Sequence, residues 1–305
     1  MFEMSVIQNR SEILFLYDVT NANPNGDPVD ENKPRIDEEM GINLVSDVRL
    51  KRTIRDYLYD YLGKDIFVRE IRDDNGNLKT KEERLKDFDS SQDLIEKCID
   101  IRLFGATTAV KDQTMALTGP VQFKYGRSLH RVDLTYVKGT TVMPSQADRK
   151  QGTFTERYIL PYSLIAFWGV VNEKAAQAQN LPLTCEDVDL MMEAIWNGTK
   201  NLISGSKFGQ TPRFLLQIIY KGGNFYIGEL DKRIAIQTAK EEEKIRDISE
   251  LQVEISPLIK ALQENQDKIE EVRVKADNRI VLAKNGEPIG VDGAFSGLPI
   301  KSFPF

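Results

Sequence analysis

The chain has 305 residues, with 41 basic and 47 acidic side chains and a formal net charge of −6. Apolar residues make up 41% and aromatic residues 9%, enough for a globular core. No apolar run suits a membrane span, no basic-then-apolar secretory signal opens the chain, and the mildly acidic balance argues against a uniformly basic nucleic-acid binder.

The average conceals a segregation. Between Val121 and Arg157 stand Lys124, Arg127, Arg131, Lys138, Arg149, Lys150 and Arg157, against Asp133, Asp148 and Glu156. The last quarter reverses the balance, with Glu241, Glu242, Glu243 and many later acids. One face is therefore free to be basic on an acidic molecule, and the local field decides what is held. Cys98 and Cys185 lie far apart in helix-like stretches and read as two free, buried thiols of a reducing cytoplasm. The length admits two average domains. No Pro- or Ser-rich linker divides it, so one core spanning 1–305 with insertions is expected.

Residues 13–19 are mostly apolar and predict a central strand covered on both faces. The run breaks into Asn21, Asn23, Pro24, Asn25, Gly26, Asp27 and Pro28, and a short extended piece, Pro34 to Asp37, follows. Ser46 then reads as a helix N-cap, with Asp47 favourable at the positive end of the dipole. Val48, Ile54, Leu58 and Tyr61 are expected on the inner face, and the helix is expected to stop near Gly63. Arg49, Arg52 and Arg55 form a neighbouring stripe with Lys51 beside it. Cations in the first turns oppose the dipole, so they call for another explanation than helix stability. A loop of amides and exposed backbone N–H groups beside a cationic helix start suits a phosphodiester chain.

Residues 64–91 are charged and include Asp73, Asn75, Gly76 and Asn77, a hairpin or mobile insertion. A short helix is expected over 93–104. Val121, Phe123 and Tyr125 alternate as a strand behind Pro120. Residues 137–155 are rich in Gly and Thr, cationic and poor in large apolar groups. They predict a protruding hairpin carrying Lys138, Met143, Arg149 and Lys150. Apolar residues 158–171 return as a strand, and residues 184–202 form an amphipathic helix opened by Thr184 and Asp187 as a capping pair. Strands follow at 214–220, around Val253, and around Val272 and Val274. Ser256 is the expected N-cap of another helix, with Pro257 in its first turn. Strand–helix–strand units of this size predict an α+β sandwich of the ferredoxin or RNA-recognition-motif kind.

Candidate catalytic groups are few. Asp18, Asp27, Asp30 and Asp37 lie near one strand end and offer oxygen ligands for Mg²⁺. Against this, Asp27 and Asp30 suit turns, Asp37 suits a cap, and no acid pair has helical spacing. His130 is the only histidine and has no evident partner for acid–base work. Residues 205–209 carry Lys207 between glycines but lack the Lys-Ser/Thr ending of a phosphate loop. No catalytic residue, metal or cofactor is expected.

Five ordered segments carry a resemblance: Tyr17 to Pro28, Pro34 to Asp37, Val45 to Arg52, Leu117 to Gln122, and Phe208 to Arg213. The set resembles the Cas-seven backbone subunits of type I CRISPR Cascade, in particular the type I-B branch. The resemblance implies a cytoplasmic, non-catalytic subunit of an antiviral complex. Its recognition-motif palm carries finger-like insertions (here 64–91) and a thumb hairpin (here 137–155). Copies stack head to tail along the spacer of a CRISPR guide RNA, beside other Cascade subunits, and display it for pairing with target DNA. Specificity then resides in base pairing, and the protein needs backbone contacts. It implies guide-phosphate contacts at Ser46, Lys51 and Arg52, with Arg49 and Arg55 in support and Asn21, Asn23 and Asn25 in the matching loop. In the thumb, Lys138, Met143, Arg149 and Lys150 are chosen on chemistry, Met143 as a flexible apolar wedge. The rival reading is a metal-dependent endoribonuclease on the same fold; a basic surface that binds an acidic protein partner is a second.

Overall fold

The computed structural model describes residues 6–110, 113–140 and 154–305. Its spine is β1 (Ser11–Ala22), the apolar strand expected from the sequence. Strand β2 (Ile42–Val45) leads into α1 (Asp47–Asp60). Strands β3 (Gly126–Arg131), β4 (Thr135–Thr140) and β5 (Phe154–Val171) follow, then α2 (Cys185–Lys200) and β6 (Gln210–Tyr220). The C-terminal part adds α3 (Ser256–Glu264), β7 (Ile269–Ala276) and β8 (Ile300–Ser302).

The main sheet runs β8-β7-β6-β1-β5-β3-β2 and ends on the short strand Ile36–Asp37. Strand β1 lies between β5 and β6, antiparallel to both, with Phe15 opposite Phe167 and Leu215. Its side chains alternate between two cores, as the strand period requires. Ile13, Phe15, Tyr17 and Val19 join Leu50, Ile54, Leu58, Met191, Met192 and Ile195 beneath α1 and α2. Leu14 and Leu16 join Leu258, Ile259, Leu262 and Phe295 from the C-terminal part. A wholly buried Phe or Leu contributes about 1.5–3 kcal/mol, so β1 anchors both layers. The result is a mixed α+β fold.

Several expectations shift in detail. Val48 is 65% exposed and Tyr61 57% exposed; the inner face of α1 is Leu50, Ile54, Tyr57 and Leu58. Residues 93–104 divide at Cys98, whose extended backbone (ψ 107°) separates helices Ser91–Lys97 and Ile99–Phe104. Tyr125 stands exposed beyond the strand Val121–Phe123. Cys98 is buried as expected, but Cys185 opens α2 and is exposed. Thr184 and Asp187 form the expected capping box. Ser256 does not cap: Ile255 takes that place, and the Ser256 hydroxyl donates to Glu254. Asp73 accepts from the backbone N–H groups of Asn75 (2.9 Å) and Asn77 (2.8 Å), making the turn expected there.

The stem of the expected hairpin is the antiparallel pair β4–β5, in register from Thr135 opposite Ile159 to Thr140 opposite Phe154. Its tip, 141–153, with Met143, Arg149 and Lys150, lies outside the described residues. Among the described residues, no helix is long and apolar enough to cross a membrane.

Candidate nucleic-acid interface

Both faces of the sheet are covered, so Phe15 and Tyr17 of β1 and Tyr162 and Phe167 of β5 offer no open stacking platform. A strand of nucleic acid must instead be held where the chain leaves β1. There Asn21 adopts a left-handed backbone (φ 50°), which a short amide side chain tolerates. Asn23 is buried and fixed from three sides. Its backbone N–H donates to the Ser206 carbonyl (2.9 Å), its Nδ2 donates to the Asn32 carbonyl (2.7 Å), and its carbonyl accepts from Lys207 Nζ (2.8 Å). Gly209 completes the junction. A Cβ there would lie 2.5 Å from the Thr20 carbonyl oxygen, and its φ of 108° suits glycine alone.

Asn25 ties this loop to α1. Its Oδ1 accepts from the Ser46 N–H (2.8 Å) and from the Ser46 hydroxyl (2.9 Å). Ser46 Oγ in turn accepts from the Arg49 N–H (3.3 Å), the expected N-cap. With Oδ1 engaged by two donors, the Asn25 amide orientation is fixed, and its Nδ2 has no protein acceptor among the described residues.

The cations of α1 divide into two groups. Lys51 pairs with Asp47 (3.0 Å), also donates to Gln122 (3.3 Å), and its side chain is only 11% exposed. Arg52 chelates Asp56 one turn on and keeps an exposed edge. Arg55 pairs with the fully buried Asp100 (2.8 Å), which also accepts from the Phe67 and Val68 N–H groups. Arg49 has no carboxylate at ion-pair distance among the described residues. It donates to Thr53 Oγ1 (2.9 Å), its buried Nε has no partner, and burial lowers its pKa. Asp56, the acid whose field reaches it, is bound to Arg52.

Asn21 and Asn23 line a cleft of about 600 Å³ with Asn32, residues 204–206 and the root of the β4–β5 hairpin. Arg157 on that root donates to the Gly205 carbonyl (2.7 Å). Beside it the Tyr136 and Tyr158 rings lie 5.0 Å apart. Lys138 pairs with Glu156 (3.3 Å) on the exposed stem. Phe208, 71% exposed, stands on the facing loop. The structure thus places Asn21 and Asn23 in one cleft with the hairpin root, and links Asn25, Ser46 and Arg49 by hydrogen bonds at the start of α1. Lys51 and Arg55 are turned into internal pairs.

Lys207, Arg157 and Phe208 were not among the expected site residues. One signal was present: from Ala194 to Gly228 the sequence has no acid, while Lys200, Lys207, Arg213 and Lys221 punctuate it.

The candidate catalytic groups have structural posts. Asp18 is buried against Arg213 (2.9 Å) and Tyr162 (3.2 Å). Asp27 holds the Val29 N–H and Arg35, Asp30 pairs with Lys33, and Asp37 holds the Met40 N–H and Arg127. Among the described residues, no group of three His, Cys, Asp or Glu side chains is placed to hold a metal. His130 is buried on Tyr162, with Nδ1 on the Arg131 carbonyl (2.7 Å) and Nε2 accepting from the Leu164 N–H (3.1 Å). Burial lowers its pKa, which keeps it neutral.

Residues 9–256 match the family model described as CRISPR-associated protein Cas7. A CRISPR-associated protein Cas7 from Haloferax volcanii is 32% identical over 95% of this chain and 93% of its own length. Among solved structures, a chain of a CRISPR RNA-guided surveillance complex superposes with a TM-score of 0.53 at 14% identity, covering 88% of this chain and 90% of that one. A chain of a pre-nicking surveillance complex gives 0.57 at 13% identity, covering 91% and 95%. These two likenesses establish a shared fold. The family match and the relative, each extending over most of the sequence, establish more: this chain belongs to the CRISPR-associated Cas7 family.

Proposed function

We propose that this chain is a non-catalytic guide-RNA-binding backbone subunit of a type I, specifically I-B, Cascade complex. The observation that carries the reading is the cleft between the asparagine loop and the hairpin root, with Asn25 tying that same loop to the capped start of α1. It is lined by the amides of Asn21, Asn23 and Asn32, by Ser204 and Ser206 and by Arg157, with its two carboxylates, Glu31 and Glu156, paired to Lys33 and Lys138. Amides, hydroxyls and a guanidinium are the chemistry of backbone rather than base-edge contact. The chain is read as one domain with insertions. Its palm is a recognition-motif core, supported by the element order β1-α1-β3-β5-α2-β6 and the spatial order β6-β1-β5-β3. The β4–β5 hairpin is the thumb, with Lys138 on its stem and Met143, Arg149 and Lys150 toward its tip. Residues 64–91 are a finger-like insertion. Asn21, Asn23, Asn25, Ser46 and Arg49 line the guide path, and Arg52 flanks it. Lys51 and Arg55 support it by fixing α1. Copies follow one another head to tail along the spacer in the cytoplasm, next to other Cascade subunits. The guide remains open to pair with target DNA.

The test is direct. The full chain purified from cells producing a CRISPR array is expected to carry RNA of uniform length. Removal of that RNA by high salt should be reversible with guides of unrelated sequence. A chain that copurifies with no RNA, or with RNA of random length under the same conditions, overturns the assignment.

A further inference from the structure

The loop 203–209 brings a second cation to the asparagine loop, which Asn25 ties through Ser46 to Arg49. Lys207 is half-buried, its Nζ held on the Asn23 carbonyl (2.8 Å). Among the described residues no carboxylate lies at ion-pair distance from it. The one charged group whose field it feels is Arg49, a like charge. Two half-buried cations bound to the two ends of one asparagine loop, neither with a carboxylate and Arg49 Nε without any partner, are costly in an empty protein. Every other cation of α1 has its acid: Asp47 for Lys51, Asp56 for Arg52, Asp100 for Arg55. The Arg49–Lys207 junction therefore lacks an anion. Lys207 is held on Asn23, which lines the cleft, and Arg49 on Ser46, which fixes the Asn25 amide.

We propose that Arg49 and Lys207 form a composite seat for one backbone phosphate of single-stranded RNA, with Lys207 as an essential phosphate ligand of the guide path. The assignment rests on the guide-binding reading and adds a residue to it. Arg49 presents a planar fork of donors, and Lys207 adds a point charge from the loop. A phosphodiester bridging them relieves their repulsion and joins loop 203–209 to α1. The loop's other tether, Arg157 on the Gly205 carbonyl, comes from the hairpin root. A seated phosphate therefore lies between thumb and palm, where it sets the register of the strand.

The test uses the full chain freed of RNA, with Lys207→Met and Lys207→Arg variants. Affinity for single-stranded RNA oligomers of unrelated sequence is measured across a salt series. Lys207→Met should weaken binding about ten- to hundredfold, alike for every sequence. It should also flatten the slope of log affinity against log salt by about 0.7, one lost phosphate contact. Lys207→Arg should stay within about threefold of the parent, since charge is what the seat requires. A second arm uses inorganic sulfate against chloride at matched ionic strength. Sulfate should raise the melting temperature of the RNA-free parent more than that of Lys207→Met. Unchanged affinity and slope in Lys207→Met, or an arginine variant as weak as the methionine one, overturns the seat. Equal sulfate shifts in parent and variant do the same. If the parent carries no guide at all, the functional reading fails, and the sulfate arm alone decides whether the seat exists.

Discussion

Raising the pH from 7 to 9 is expected to weaken guide binding about tenfold, through Lys207 alone. Burial first, and the charge of Arg49 second, lower its pKa to about 8. A phosphate in the seat reverses both influences and returns the ammonium toward the ordinary lysine value near 10.4. At pH 9 about nine in ten RNA-free molecules hold this lysine neutral, so binding must first take up a proton. The RNA-free chain should behave in the opposite sense. Between pH 8 and about 10.4 this lysine binds more protons in the unfolded than in the folded state, so the contribution of Lys207 to stability rises with pH across that window. Above about pH 9 the folded chain keeps protons that the unfolded chain loses at Cys98, raised to about 12 by burial, and at Tyr136, raised to about 12 by the hydrogen bond it donates to Glu156. These groups act against Lys207 in the folding balance, and only the difference between parent and Lys207→Met isolates it. The assay is fluorescence anisotropy of a labelled RNA at constant ionic strength between about pH 6.5 and 9.5, with Lys207→Met in parallel. A parent whose affinity is flat over that range, or a variant whose curve overlays it, refutes the argument.

Ser46→Ala should cost about 1 kcal/mol in urea unfolding through the lost N-cap. Asn25→Ala in that background should add less than it does alone, because the two side chains share a bond. Arg55→Met leaves Asp100 buried without its partner and should cost about 3–5 kcal/mol, while the salt slope of the folded fraction stays at the parent's value. A slope that falls would place Arg55 on the RNA. Asp18→Asn should lower stability by loosening Arg213, and neither parent nor variant should cleave labelled RNA with divalent metals; parent cleavage lost in the variant would restore the ribonuclease reading. Replacing 141–153 by a two-residue turn between Thr140 and Phe154 should leave the melting temperature nearly unchanged, as the segment is poor in large apolar groups. The same deletion should erase the regular nuclease ladder on a bound guide. A ladder that survives would move the thumb assignment to the 64–91 insertion.

The parts of the fold legible in the sequence were those governed by local rules. The mostly apolar run at 13–19, without polar alternation before Asp18, suits a strand buried on both faces, and β1 takes that place. Thr184 with Asp187, and Ser46 before Asp47, are short-range hydrogen-bond solutions that any context preserves. Ser256 shows the limit: Glu254 sits two residues back and captures its hydroxyl, so the cap moves to Ile255. Val48 was misplaced because helical phase, estimated without knowing where the sheet lies, is uncertain by about one residue's rotation, and Leu50 faces the core instead. Lys207 escaped notice for a different reason. Reading 205–209 as an incomplete phosphate loop judged a lysine by its sequence neighbours, whereas its partners, Asn23 and Arg49, are remote in the chain.

The cations of α1 nevertheless sort themselves by a rule visible in the sequence. Acidic residues four positions away neutralise helical cations, and Lys51 and Arg52 have Asp47 and Asp56 at that spacing. Arg49 has Val45 and Thr53 there, neither of them an acid. A protein of net charge −6 can thus carry uncompensated positive charge at one chosen point, which total charge cannot reveal. The sheet supplies the reason for that point. With Leu14 and Leu16 sealed under the C-terminal part, and Phe15 and Tyr17 under the helices, the open recognition-motif face on which bases commonly stack is closed. What remains for a strand of RNA is the end of β1, where asparagines, a capped helix and the hairpin root converge. Contacts there reach the phosphate backbone and leave base edges outward, as a guide that must still pair requires.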